Sequence, residues 1–421
     1  MPRPAPILRA GTIVATAMCA VVATSGPVSA QEAPSRVLNN QLQLGDVIAG
    51  QSLNVVGSDD QITTSTNASG NAVFASTDNE DMDVESDQAL EGDVRAETRL
   101  EGSGTFEGPV TLATQATGNT AQISAYNGEV NASVSQSIGD VEVSATTEID
   151  APSGRFLGGA SVTTTAIGNV TAMGTSYGRN ESTIDQSSAA VTQAVTGVNI
   201  QYAPAPINFT STAIANSTTA TGEVAYQDLT VRQSATGERT QASTYISVAN
   251  GWQLHSGASA TANAVGVYNR GGALLVTTDQ NNDTYVRAGA TAFAYDYGGA
   301  TVSAFGAGNS AEVGNNDIYL RLDNTQVNSG GVDVIAGFEG AYGYDVAVGA
   351  TAVGNSVTGY VCADCPAYMD VTNSQTNNGH ISATSNVAIT GSNRALINAT
   401  SAVGNSATFY VTRPGQQGSG H

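Results

Sequence analysis

A glutamine recurs eight times along this chain at an almost constant interval. It stands at Gln41, Gln88, Gln136, Gln186, Gln233, Gln280, Gln326 and Gln375, with steps of 47, 48, 50, 47, 47, 46 and 49 residues. A second series marks a small residue in a Thr-Ala-Ile/Val-Gly-Asn-Ser-like phrase: Gly70, Gly118, Gly168, Ala215, Gly266, Gly308, Gly354 and Gly404. The two series keep one beat and one phase, which defines eight units of ~48 residues. Such a period means stacked supersecondary units, none able to bury its own face alone. It favours a protein that assembles or presents a surface over an enzyme with one unique pocket.

The local pattern within each unit is that of β-strands. Ile318, Leu320 and Leu322 alternate with Tyr319, Arg321 and Asp323, and Val141 and Val143 alternate with Glu142 and Ser144. This is the period of two expected of half-buried strands. Ala258, Ala260, Ala262 and Ala264 would share one face, as would Val286, Ala288, Ala290, Ala292 and Ala294, opposed by Arg287, Thr291, Phe293, Tyr295 and Tyr297. An alanine face allows close sheet-to-sheet approach but buries little area, at ~25 cal/mol per Å2, so many coils must stack before the whole is stable. Asn127-Gly128, Gly158-Gly159, Asn250-Gly251, Gly271-Gly272, Gly298-Gly299 and Gly330-Gly331 read as tight turns. No segment keeps a capped apolar period of 3.6. The expected fold is all-β, a repetitive β-solenoid or parallel β-helix-like stack of eight units. Two coils of roughly 24 residues per unit match common solenoid sizes better than one of 48. The Gln-to-Gly offset of 28 to 33 is not half the unit, however, so the sequence leaves both open.

Before the repeats, Arg3 and Arg9 flank a short apolar run from Gly11 to Ala23, followed by Val28-Ser29-Ala30. This is the pattern of a secretory signal peptide over 1–30. Cys19 would suggest a lipoprotein signal, but Thr16-Ala17-Met18 before it lacks the usual residues, so cleavage before Gln31 is expected. The β-repeat domain then covers 31–412 and a polar tail 413–421. The whole chain carries a net charge of −22, and all 14 of its basic residues are arginine. An acidic surface without lysine disfavours nucleic acid and anionic headgroups.

Four constellations are candidates for function. The eight glutamines, if the units stack in register, would form an amide ladder along the axis, each side chain bonding the next; alternatively, Gln merely ends a strand at a turn. Cys362 and Cys365 are the only cysteines after the signal, and an exported protein would join them in a local disulfide. A redox pair and a metal site are the weaker readings. Asp81, Asp83, Glu85 and Asp87 would lie on one strand face, where calcium or a cationic sugar would relieve their repulsion; a plain solvated face is the other reading. Thirteen of the fifteen tyrosines follow residue 200, among them Tyr295, Tyr297, Tyr342 and Tyr344, and rows of such rings on a β-surface either stack on sugar or pair within the sheet. No catalytic triad, paired-carboxylate cleft or phosphate loop can be assembled, so no enzymatic activity and no cofactor are expected, calcium apart.

The phrases Thr165-Ala166-Ile167-Gly168-Asn169, Thr351-Ala352-Val353-Gly354-Asn355-Ser356 and Ser401-Ala402-Val403-Gly404-Asn405-Ser406 resemble the head repeats of trimeric autotransporter adhesins, but the membrane anchor of that family is missing from the polar tail. The Gln/Asn beat is similar to that of curli subunits, whose repeats are about half as long. Over the full length, the signal, acidity, scarcity of His and Lys and the Ala-Val-Gly-Asn-Ser tail repeat resemble the HfaD family of holdfast anchor proteins of stalked alphaproteobacteria. That resemblance implies an exported cell-surface protein, associated with the outer membrane at a cell pole, that self-associates and attaches the adhesive holdfast polysaccharide to the envelope. It also implies a curli-like surface subunit and a curli-secretion-like outer-membrane lipoprotein as partners. Two other functions remain consistent with the repeat: a secreted β-helix polysaccharide lyase or glycosidase, and an amyloid-like surface fibre subunit.

Overall fold

The computed structural model describes residues 34–317, 319–362 and 367–412, which wind through eight stacked coils. The segments 1–30 and 413–421, together with Ile318 and Cys365, lie outside the described residues. The fold is all-β, as expected.

Each coil visits three faces. The glutamine face is one eight-stranded sheet, made of Ser35–Gln43, Met82–Leu90, Glu129–Ile138, Arg179–Ser188, Tyr226–Ala235, Leu274–Asn282, Tyr319–Asn328 and Tyr368–Asn377. A middle face follows, built in the first four coils from Val47–Val55, Val94–Gly102, Glu142–Phe156 and Val191–Ala203. A wide face comes last, built there from the 17-residue strands Ile62–Asp78, Val110–Tyr126, Ala160–Ser176 and Ile207–Glu223. In coils five to seven the middle and wide faces fuse into single strands, Arg239–Arg270, Tyr285–Asn316 and Val332–Cys362. The eighth coil separates them again as Ile381–Ile389 and Ala395–Thr412.

All pairing between these strands is parallel, and partners lie one full repeat apart: Gln41 opposes Gln88, and Gln88 opposes Gln136. One repeat is therefore one coil, and the half-length coil is ruled out. Eight strands at ~4.8 Å each give a stack roughly 38 Å tall.

Two apolar clusters fill the interior. The first half of the wide face packs on the middle face, burying Leu100, Leu112, Ile149, Ile200 and Phe209. Its second half packs on the glutamine face, burying Val84, Ile123, Ile184, Leu229 and Leu322. One strand can serve both because its inward set changes phase midway. In Val110–Tyr126, Val110, Leu112, Thr114 and Ala116 are buried in the first half, and Asn119, Ala121, Ile123 and Ala125 in the second. The small marker residue sits at this change. A Cβ on Gly118 would lie 2.7 Å from the Gly168 carbonyl oxygen of the next coil, so six units carry glycine here, and Ala215 and Ala262 carry no side chain beyond the Cβ.

The phase change corrects three readings. The fifth small marker is Ala262, not Gly266: Asn216 pairs with Asn263 and Asn263 with Asn309, whereas Gly266 pairs with Thr219 and Glu312. The alanine face ends at Ala262, and Ala264 is half-buried because Asn263 has turned inward. At the corner between middle and wide faces a further phase change buries Tyr297, while Tyr295 stays exposed. Two expected turns are also absent. Asn250-Gly251 and Gly298-Gly299 lie within fused strands, where backbone pairing continues round the corner. Left-handed backbone does occur at Asn127, Gly159, Gly271 and Gly331, between faces.

If one repeat is one coil, excising residues 186–232 should leave a folded protein with seven coils. Its circular dichroism should keep the β minimum and a single melting transition. Excising only 186–209 should abolish that transition, because every later strand would meet the wrong face.

Candidate functional site

Between the two apolar clusters runs a buried polar seam. Gln88 Nε2 donates to Gln41 Oε1 at 2.9 Å, and the same bond repeats through Gln136, Gln186, Gln233, Gln280, Gln326 and Gln375 at 2.7–2.8 Å. A second ladder joins Asn71, Asn119, Asn169, Asn216, Asn263, Asn309, Asn355 and Asn405 at 2.8–2.9 Å. The two run with opposite polarity: glutamines donate toward the first coil, asparagines toward the last. Each ladder spends its second N–H on the other strand's backbone. Gln136 donates to the Val170 carbonyl, just past Asn169, and Asn119 donates to the Ser137 carbonyl, just past Gln136. The seam thus ties the middle of the wide face to the corner where the chain leaves the glutamine face. From Gln88 to Gln326 its glutamines are at most 3% exposed.

The sequence reading missed a third ladder. Thr66, Thr98, Thr114, Thr147, Thr164, Thr196, Ser211 and Thr244 zigzag between the wide and middle faces, with hydroxyls 2.7–2.9 Å apart. Its signal was present as two interleaved series, Thr98, Thr147, Thr196 and Thr244 on the middle face and Thr66, Thr114, Thr164 and Ser211 on the wide face. It ends where the core turns to alanine, at Ala258, Ala290, Ala304 and Ala336.

The acidic segment lies on the glutamine face of the second coil. Asp81, Asp83, Glu85 and Asp87 point outward while Met82, Val84, Ser86 and Gln88 are buried. Their charge is partly met within the protein. Arg36 reaches Glu85 at 3.3 Å, Asp81 accepts the Glu129 backbone N–H at 2.8 Å, and Asp83 accepts from Asn131 at 3.3 Å. Among the described residues no three acids, histidines or cysteines converge on a metal position. Cys362 closes the last fused strand; the Cys362–Cys365 pairing involves a residue outside the described set.

Six aromatic residues, Tyr202, Trp252, Tyr295, Tyr297, Tyr342 and Tyr344, gather at the corner between middle and wide faces in coils four to seven. There a groove of about 540 Å3 is lined by Tyr202, Trp252, Tyr342 and Tyr344, with Asn250 and Asp296 between them. Trp252 and Tyr344 meet edge to face at 6.1 Å across Gly298, and Tyr295 and Tyr342 do so at 5.6 Å. Tyr297 also lines the groove, packed on Phe338 at 4.9 Å. Its hydroxyl has no partner, and burial pushes its pKa up. Arginines stand at both limits. Arg155 lies over Tyr202 at 5.3 Å and Arg394 over Tyr344 at 5.6 Å. Hydrogen bonding from Arg394 holds the Asp345 carboxyl below its usual range. Of the four tyrosines singled out from the sequence, Tyr295, Tyr342 and Tyr344 are on the surface and Tyr297 lies beneath it; Trp252 was missed, and its signal is that it stands two coils from Tyr344 at the same place in the repeat, visible only once the coil length is known.

Comparison with known families gives one match. The model of HfaD, holdfast attachment protein D, matches residues 56–331, well over half of the 421-residue chain. No curated protein and no solved structure gives a significant match.

Replacing a central seam residue should be far more damaging than replacing a terminal one. Gln186→Leu leaves the Gln233 amide, the Ser217 carbonyl and the Gln136 Oε1 without this partner. At ~1–3 kcal/mol for a buried unsatisfied group, the loss should be several times that of Gln41→Leu at the open end. Urea unfolding midpoints of the two variants give the comparison.

Proposed function

The chain belongs to the holdfast attachment protein D family, and from that membership we propose that it is exported to the cell surface, associates with the outer membrane at the adhesive pole, and holds the holdfast polysaccharide without chemical turnover. Its described coils share one geometry, which suits repeated weak contacts better than a single reactive centre. The curli-like subunit and the curli-secretion-like lipoprotein remain the partners that the family resemblance implies.

Self-association is part of this proposal, and the observation that carries it is the state of the two coil ends. Inward residues of the first coil, among them Val37, Val47, Leu53 and Ile62, are only partly covered, as are Met369, Val371, Ile381 and Val387 in the last. Among the described residues neither end carries a cap. Open parallel edges of this kind template further strands. The ends are also complementary in polarity. Gln375 presents an acceptor and Asn405 a donor outward from the last coil; Gln41 and Asn71 offer a donor and an acceptor from the first. A second copy placed head to tail would extend both amide ladders and all three faces without changing the coil.

The purified mature chain should therefore form linear oligomers that lengthen with concentration, seen by sedimentation velocity and electron microscopy. Val387→Lys, placing a charge in the open end of the core, should hold it monomeric with its β spectrum intact. A wild-type chain that stays monomeric at high concentration overturns head-to-tail assembly. Attachment itself is tested separately: cells lacking the protein should shed their adhesive under shear, and retention of the adhesive would sink that reading.

A further inference from the structure

We infer that the aromatic groove at the corner of the middle and wide faces is a binding site for a neutral pyranose chain lying along the solenoid axis. The inference rests on the attachment reading and specifies the surface that would perform it.

The first argument is placement. Parallel stacking in register puts Tyr202, Asn250, Asp296 and Tyr342 in one column, and Gly251, Tyr297 and Gly343 in the next. Side chains in a column rise by one coil each, ~4.8 Å, close to the advance of an extended pyranose chain per sugar. A chain running along the axis would therefore meet an equivalent position on each coil. The same corner in earlier coils is built differently: Phe106 and Phe156 stack at 4.6 Å inside the protein and both are fully buried. The outward column there holds Thr105 and Arg155, and it gains rings only from Tyr202 onward, where the groove begins.

The second argument is chemistry. Trp252, Tyr342 and Tyr344 are half-exposed or more, though each is large enough to justify burial. An aromatic face is electron-rich and attracts the polarised C–H groups on the flat side of a pyranose. Between the rings, the Asn250 amide and the Asp296 carboxylate supply a donor and acceptors for sugar hydroxyls. Beneath them the Tyr297 hydroxyl, in a residue 4% exposed, has no partner in the protein. Buried polar groups normally find one, and a hydroxyl-rich ligand seated above it, or a water carried with that ligand, would provide it. Few convergent polar groups on an apolar, concave lining are the usual make-up of a ligand site.

The third argument is closure and charge. Arg155 covers the outer ring at one limit of the groove and Arg394, paired with Asp345, covers the ring at the other. Both guanidiniums are thereby engaged. Little positive charge remains to draw an anionic polymer, and the net charge of −22 opposes one.

Trp252 is the single tryptophan of the chain, so its fluorescence reports on this groove alone. The mature protein is titrated with cellohexaose, with chitohexaose, and with the polysaccharide shed by cells that lack the protein, all in 0.5 M NaCl to screen charge. The expected result is saturable quenching or a blue shift with at least one of the three. Tyr342→Ala and Tyr344→Ala should weaken that binding tenfold or more, and Trp252→Ala should abolish retention in affinity electrophoresis. Phe74→Ala, an exposed ring on the first coil, should change nothing. Circular dichroism of each variant confirms that the coils are intact. The inference is overturned if none of the three ligands binds, if the ring variants bind as the wild type does, or if only a cationic deacetylated oligomer binds and salt removes it. Cells carrying Trp252→Ala with Tyr342→Ala separate this failure from that of the attachment reading. If those cells keep their adhesive while deletion cells lose it, attachment stands and the groove does not mediate it.

Discussion

The paired amide ladders are the constraint on which the rest of the structure depends. Most of this chain is Thr, Ser, Ala, Gly, Asn and Val, and such strands pack almost equally well in several registers. Apolar burial alone would not choose between them. A buried amide does choose. A slip of one residue would turn every seam glutamine outward on its strand and leave backbone carbonyls such as those of Val170 and Ser217 unpaired in the interior. Each such loss costs more than the hydrogen bond itself contributes when made. The opposite polarity of the Gln and Asn ladders has a further consequence. Amide dipoles aligned along eight coils would otherwise add, and here one row offsets the other.

The seam also dictates the oddest feature of the wide strand. To place an asparagine inward in the middle of a strand that serves two cores, the inward phase must change beside it, and the change brings successive coils too close for a large side chain. This accounts for the small residue next to Asn in every unit. The fifth marker is misplaced because Ala264-Val265-Gly266 matches the Ala-Val-Gly phrase of later units and draws the reading past Ala262, which fills the role, to Gly266, which does not. In the same way, Ala264 was counted into an alanine face that the phase change had already ended.

What the sequence revealed was whatever repeats in chemistry at a fixed interval. Class of fold, number of units, inward rows such as Leu320 and Leu322, and the equivalence of the eight glutamines were all legible. Coil length was not, because periodicity gives the repeat but not the number of turns within it. The hydroxyl ladder escaped because its partners sit on different faces, about a third of a repeat apart, where no single-interval pattern finds them. Of the corner aromatics, Tyr295, Tyr297, Tyr342 and Tyr344 were legible within a tyrosine-rich second half, whereas Trp252 and the columns they form were not. Asn250-Gly251 and Gly298-Gly299 read as turns, since glycine pairs usually are. In the fold they make room instead: a Cβ on Gly298 would lie 2.8 Å from the Trp252 ring.

Assembly and binding make different demands on a surface, and a solenoid can meet both because they fall in perpendicular directions. Growth by the proposed head-to-tail assembly would use the two ends, where backbone edges and the ladder termini are open. A ligand groove uses the flank, where side chains from successive coils line up. Since the flank columns run parallel to the assembly axis, each added copy would repeat the groove along one line without altering it. Weak contacts to a long polymer would then act in series, and the effective concentration of each site for the bound chain would rise with its neighbours already engaged. The same stacking rule that lets small units share a core would thus let many shallow sites share one ligand.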